Sequence, residues 1–272
     1  MSRAPSLEAD LSTSPRVAWP TVALTGLVVG CALAGALAAA SQRVALAAGC
    51  VFVAGWCGFT VLHEAAHGNV CRARWANALA GELAASVLLC RFLAFRQIHQ
   101  RHHRFTNDPA RDPDRFSGDG PAWQRPLRLA VTDLHYYFEF EPRALRASRA
   151  ESSLSNVSAA ALVATLAALV ATGHGPELLL AWALPIRLAM FCAALFVDYV
   201  PHMRPHAPPR SAHALAHTAQ TAPSPLVDAL SLCHSHHLLH HLWPRVPFYR
   251  LPEAWRRHGD ALRAQGATVR WG

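Results

Sequence analysis

Apolar residues fall along this chain in long unbroken runs, not in the short amphipathic stripes of a soluble domain. Pro20 to Ala40 matches the ~20 residues that cross a bilayer as a helix. Only Ser41-Gln42-Arg43 separates it from a second run, Val44 to Leu62, which delivers His63 at its end. A signal peptide is the competing reading of the first run, but its length and the prompt second run favour a span. Leu154 to Thr172 and Leu178 to Val197 form a second pair, joined by Gly173-His174-Gly175-Pro176-Glu177. The pattern predicts two helical hairpins, four transmembrane helices in all. A shorter run, Ala78 to Cys90, carries Glu82 and is bounded by Arg74 and Arg91. It is about 20 Å long as a helix at 1.5 Å per residue, which suits an interfacial or re-entrant helix better than a crossing. Residues 1–16 are polar and proline-containing, a predicted disordered cytosolic tail ahead of one membrane domain, 17–272.

Topology follows from counting crossings. Two return the chain to its starting side at His63, and two more do so at His202. The segments near 99 and 237 share that side if 67–99 makes no net crossing. All 25 basic residues are Arg, and outside the spans only Arg43 falls on the opposite face. This positive-inside bias places the shared face in the cytosol. Arg187 is the exception, inside the fourth span near Pro185. A central Arg costs about 2.5–3.5 kcal/mol on insertion scales, so Arg187 is expected to snorkel, face the bundle interior or pair with a carboxylate. The sequence names no partner for it.

The expected fold is therefore all-α: an integral membrane bundle with an interfacial helix and a cytosolic helical cap. Composition agrees. Charged residues make up 15% of the chain, against roughly 25% in soluble domains. The Lys-free, Ala-rich composition points to a GC-rich bacterial genome, and so to a bacterial cytoplasmic membrane. The seven cysteines are odd in number, lie mostly in apolar runs and form no CxxC, so a disulfide framework and a thiolate metal site are both disfavoured.

Candidate chemistry sits in histidine clusters at the ends of the apolar runs. His99-Gln-Arg-His102-His103 places imidazoles at i, i+3 and i+4, one helical face. His102 and His103 diverge by about 100° at about 3.6 residues per turn, so one helix can address two ions. His63-Glu64-Ala-Ala-His67 gives an i, i+4 pair, and His237-Leu-Leu-His240-His241 repeats the longer pattern. His63 to His67 is formally HExxH, in which a zinc protease uses the Glu as base. Eight imidazoles exceed the three protein ligands of such a site. A nitrogen-rich site for two first-row ions fits iron best, with manganese, copper or zinc behind it. Asp198-Tyr-Val-Pro-His202 ends the fourth span, offering His202 as a ninth ligand and Asp198 as a group behind the ligands or bound through water. His213 and His217 are expected on solvated surface. Asp108-Pro109 and Asp112-Pro113-Asp114 are turn formers first, with orientation of box histidines second. A histidine-lined metal transporter would instead string its ligands along a membrane path.

Taken together, the three boxes with Asn107-Asp-Pro-Ala-Arg-Asp-Pro-Asp114, Gly120-Pro-Ala-Trp123, Asp198-Tyr-Val-Pro-His202, Pro223-Ser-Pro225 and His237-Leu-Leu-His-His-Leu-Trp-Pro244 resemble the membrane-bound fatty acid desaturase and hydroxylase superfamily. Within it the desaturase-like β-carotene hydroxylases are most similar. The resemblance implies a non-haem diiron centre, two Fe2+ ions held by His63, His67, His99, His102, His103, His237, His240 and His241. His202 would complete the site, and Asp198 occupies the place of an Asn-like group four residues before it. It implies O2 as co-substrate, an apolar carotenoid whose β-ionone ring is hydroxylated at C3 to give zeaxanthin, and electrons from a separate ferredoxin-type donor. Ferredoxin and membrane lipid, not nucleic acid, are the expected partners. Three departures bear on substrate and regiochemistry: Ser235-His236 in place of Asn-Tyr, Thr218-Ala219-Gln220 in place of Asn-Ala-Arg, and Glu64 where Asp is common. A carotenoid 4-ketolase and a fatty acyl desaturase are the alternatives on the same site.

Overall fold

The computed structural model describes residues 15–139, 149–202, 214–221 and 224–271. Most of the expected tail, with His206 and His213, lies outside them. Among the described residues four helices are long and apolar enough to cross a membrane. They are α1 (Trp19–Ala40), α2 (Val44–His67), α6 (Arg149–Ala171) and α7 (Gly175–Tyr199). The hairpin pairs are those the hydropathy pattern predicts, with ends shifted by a few residues.

The two hairpins are not equivalent. Half of the apolar window of α2 is buried inside the protein, against 6% for α6. α2 is the central post because small residues let neighbours close on it. A Cβ added at Gly55 would stand 2.9 Å from the side chains of Ala189 and Ile186 on α7. Gly68 ends α2 in the left-handed region, φ +74°, where glycine carries no Cβ penalty. The helix therefore stops directly after His67.

Between the hairpins, α3 (Arg74–Val87) and α4 (Phe92–Phe105) are bent by 101° to one another. The bend sets α3 against α2 and turns α4 back toward it. Gly81 on α3 makes this possible, since the Phe92 ring lies where a Cβ would be. α4 brings the second histidine box back beside the end of α2.

α7 is irregular for an identifiable reason. Pro185 has no N–H for the helical ladder, and the turn before it, Leu179–Ala183, widens to a π-helix. A second π segment, Ala194–Tyr199, closes with Val200 N donating to Leu195 O at 2.9 Å. Such bulges re-aim the residues within and just beyond them, here Asp198 inside the segment and His202 after it. Arg187 finds the carboxylate its position demands. Its Nη1 and Nη2 each lie 2.6 Å from an oxygen of Asp133 on α5 (Arg125–Glu139).

The cap is built from short helices: α8 (Ala214–His217), α9 (Pro225–Leu230), α10 (His237–Leu242) and α11 (Leu251–Ala264). Leu239 of α10 packs with Val246, Leu251, Ala254, Trp255 and Leu262 in a small apolar core. The sheet among the described residues is one parallel pair, β1 (Gln220–Thr221) with β2 (Val269–Arg270). No disulfide links the cysteines described.

Candidate metal centre

Three elements converge at the inner end of α2. The last turn of α2 carries His63 and His67, α4 carries His99, His102 and His103, and α10 carries His237, His240 and His241. His202 arrives just beyond the π segment of α7. All nine are buried or half-buried.

They form two adjoining clusters. In the first, one nitrogen from each of His63, His67, His99 and His240 lies within 4.8 Å of the others. His103 joins it, with Nε2 3.0 Å from His99 Nε2 and 2.9 Å from His240 Nε2. The second holds His102, His202, His237 and His241 within the same limit. There His102 and His241 Nε2 are 3.2 Å apart, and His237 Nε2 is 3.0 Å from both His202 and His241. The stacked rings of His103 and His241, 4.3 Å between centroids, join the two. The adjacent pairs His102/His103 and His240/His241 each divide between the clusters, the divergence expected of neighbours on a helix.

The donor chemistry suits metal ions. Neutral imidazole has one N–H, and nitrogens crowded this closely cannot all satisfy one another. Both ring nitrogens of His63 and Nδ1 of His237 are buried without a hydrogen bond, a costly arrangement unless something occupies the site. Two nitrogens bound at about 2.1 Å to one ion and at right angles would stand about 3.0 Å apart, close to the spacing seen. Each cluster could thus hold one ion. Burial keeps the imidazoles neutral, the form that ligates. It holds His237, His240 and His241 well below the usual range and, aided by the charge of His102, lowers His202 to about 3.

His102 differs from the rest. Burial opposes its charge, but Asp114 and Asp112 outweigh burial and raise it to about 10. Its Nδ1 lies 2.8 Å from Asp112 Oδ1 and 3.2 Å from Asp114 Oδ2. Both carboxylates are buried, so the run expected to make turns first of all orients a box histidine. Asp112 also accepts from the N–H groups of Asn107 at 2.5 Å and Asp114 at 3.0 Å, and Tyr136 O–H donates to Asp114 at 2.5 Å.

Other expectations need correction. His217, expected on solvated surface, is buried. Its backbone carbonyl accepts from Asn107 Nδ2 at 3.0 Å and lies 3.2 Å from His202 Nδ1, so the backbone of α8 holds the ninth imidazole. Asn107, just ahead of the expected turn formers, also has a part in holding the site. It takes φ +62° to end α4, a conformation Asn tolerates, and its side chain ties α4 to the loop after α7. The Asn-Asp-Pro run was the available signal. His234 and His236 serve as packing. His234 Nε2 lies 3.0 Å from Thr60 Oγ1, and His236 lies between Gln220 and Asp228. Neither Asp198 nor Glu64 belongs to a cluster. Glu64 Oε2 accepts from Phe248 N at 3.1 Å, engaging the cap. Asp198 lines an apolar pocket beside His99, His102 and His237.

That pocket runs between α2, α4, α5 and α7, walled by Phe59, Leu62, Phe95, Ile98, Met190, Ala194 and Val197. The polar side chains of α5 on its wall are committed inside the protein. Thr132 Oγ1 donates to Arg128 O at 2.8 Å, Asp133 is held by Arg187, and Tyr136 by Asp114.

The fold and this site define a helical protein with four candidate membrane spans and histidine clusters that could hold metal ions, and comparison with known proteins identifies it as an oxidoreductase. A profile described as "Fatty acid desaturase" matches residues 39–272, so the chain belongs to the fatty acid desaturase family, which is membrane-bound and known for its use of iron. It is 28% identical over 208 residues to the beta-carotene ketolase of Paracoccus sp., covering 75% of each chain. It is 31% identical over 80 residues to the sn-1 oleoyl-lipid 12-desaturase of Picosynechococcus sp., a match covering 27% of this chain and 23% of that protein's length. The zinc-protease and transporter readings give way to this family.

Proposed function

We propose that this protein is an O2-dependent carotenoid oxygenase that hydroxylates the β-ionone ring at C3, with two ferrous ions held by the nine histidines. The observation that carries the reading is the pairing of two imidazole clusters with an apolar pocket whose α5 polar groups are already partnered. Such a wall offers those groups to no polar substrate head and suits a hydrocarbon ring entering from the bilayer.

His63, His67, His99, His103 and His240 would hold one ion, and His102, His202, His237 and His241 the other. When bound, the ion pair supplies reductive activation of O2 and removal of hydrogen from an unactivated C–H bond. The chain's own part is positional. Asp112 and Asp114 hold the Nδ1–H of His102 and turn its Nε2 lone pair inward. The His217 carbonyl and Asn107 do the same for the segment bearing His202. Asp198, between pocket and cluster, acts behind the ligands. Electrons come from a separate ferredoxin-type protein, and residues 17–272 act as one domain. By the arginine distribution the site faces the cytosol of a bacterial cytoplasmic membrane.

A second reading, ketolation at C4, is favoured by the match to the Paracoccus ketolase over three quarters of the chain. Expression in a β-carotene-producing host separates the two. Zeaxanthin supports the hydroxylase, and canthaxanthin supports the ketolase. Unchanged carotenoid with new double bonds in the membrane lipids would overturn both in favour of an acyl desaturase.

A further inference from the structure

Apart from the apolar pocket, and lined by a different set of α4 residues, an open groove of about 720 Å³ lies between the end of α2, the start of α3 and α4. That is within the roughly 300–1,000 Å³ of small-ligand sites. Among the described residues its lining includes Arg72, Arg74, Arg96 and Arg245, with Gln100 beside them and no Asp or Glu. Arg96 is braced over the Phe92 ring, 5.7 Å from its centroid. Arg72 just ahead of α3 and Arg74 at its start, with the guanidiniums of Arg96 and Arg245 lining the same groove, give the concavity a positive field that favours an anionic occupant.

The level of the groove in the membrane is marked independently. Trp19 at the start of α1 is 71% exposed and Trp75 in the first turn of α3 is 72% exposed. Exposed tryptophans of this kind gather where apolar chains meet headgroups. The two are tied to one level by the chain itself. Val17 bridges Cys71, Ala18 N donates to Val70 O at 2.9 Å, and Arg72 N donates to Arg16 O at 3.1 Å. Next to the groove residues Arg74 and Ala78 in the chain, Trp75, Leu79 and Leu83 run up α3 as an exposed apolar stripe at i, i+4 and i+8.

We propose that this groove binds the phosphate headgroup of an anionic phospholipid, whose acyl chains lie along the Trp75–Leu79–Leu83 stripe. A free phosphate would use only the arginines, and an acidic protein would meet the rim and leave the stripe in lipid. A phospholipid fits both the cationic recess and the apolar track leading out of it. The groove also contains His67, so the headgroup covers one edge of the first cluster. The inference rests on the membrane topology and not on the reaction catalysed.

The test is retention of lipid by the full-length, metal-loaded protein. It is purified in detergent from a host containing phosphatidylglycerol, and bound lipid is measured by mass spectrometry. Wild type is expected to retain phosphatidylglycerol over phosphatidylethanolamine. Loss of one arginine should weaken retention about fivefold, and Arg72→Gln/Arg74→Gln/Arg96→Gln on the order of 100-fold. Arg256→Gln/Arg263→Gln on α11 should retain it fully. If the triple glutamine variant does not fold, the triple lysine variant, which keeps the charge, should retain lipid, and wild type should release it as salt rises. Equal retention by wild type and variants, or no anionic lipid on wild type, would overturn the proposal. So would full displacement by inorganic phosphate, which would make this a free-anion site. Retained lipid together with lost response to an acidic electron donor would reassign the groove to a protein partner.

Discussion

The two imidazole clusters share α4 and α10 but are held in different ways. The first takes its side chains from α2, α4 and α10, and among the described residues the carboxylate recorded against its rings is Glu64, whose Oε1 stands 3.7 Å from His63 Nδ1, too far for a hydrogen bond. Regular helix geometry aims them. The second includes His202, which follows a π segment and has no regular helix beneath it. That cluster carries the extra fixings: two carboxylates on His102 and a backbone carbonyl on His202. Rigid secondary structure in the one is replaced by hydrogen bonds in the other. The second cluster should therefore be the more easily unbalanced by changes that touch no ligand.

The largest expected effect treats both clusters alike. His240→Ala in the first and His102→Ala in the second should each abolish turnover and lower bound iron, read by metal analysis and by product in carotenoid-accumulating cells. Retention of both metals by either variant would remove that histidine from the ligand set.

Next comes the asymmetry. Asp112→Asn and Asp114→Asn should each lower metal affinity or activity about 10–100-fold, the usual cost of disturbing a group behind a ligand. The metal lost should come from the second cluster, so about half of the iron should remain. Equal loss from both sites would contradict the division of labour proposed here.

A third change acts outside both clusters. Arg187→Met leaves Asp133 without its partner on the pocket wall and should destabilise by about 3–5 kcal/mol. Replacing both, as Arg187→Met/Asp133→Leu, should recover most of that in thermal unfolding. The smallest effect belongs to His217→Ala. Its carbonyl does the holding and survives the substitution, so activity should stay close to wild type.

Acidity gives a further reading. His202, His237, His240 and His241 are held neutral by burial in the fold but titrate near 6.5 when unfolded. Below that pH the unfolded chain binds more protons, so stability is full above about 6.5 and falls as pH drops. His102 has the opposite sign. Its stabilisation is full below about 6.5 and fades as pH rises through about 10. Metal-free protein should therefore melt earlier at pH 5.5 than at pH 7.5, and Asp112→Asn should also remove part of its stability at neutral pH.

Much of this was legible in the sequence because it repeats along single elements. Span lengths follow from bilayer thickness, and box spacing follows from helical pitch. Neighbouring residues such as His102 and His103 could be seen to diverge before their destinations were known. What could not be read depends on contacts between distant segments. Asp133 and Arg187 are 54 residues apart, and neither belongs to a motif. His217 lies in a Pro- and Ala-rich stretch that looks solvated, and only the fold shows its carbonyl turned inward. Asp112 and Asp114 carry the signature of a turn, which they also make. Their proximity to His102 depends on Asn107 reversing the chain after α4.

The split of adjacent histidines has a consequence for how this chain can vary. Inserting or deleting one residue between His99 and His102 would rotate every later side chain of α4 by about 100°. His102 and His103 would then be misdirected together, and both ion sites would fail in one event. The short path through the second box is intolerant of length change, while the exposed surface of α6 has no such register to keep.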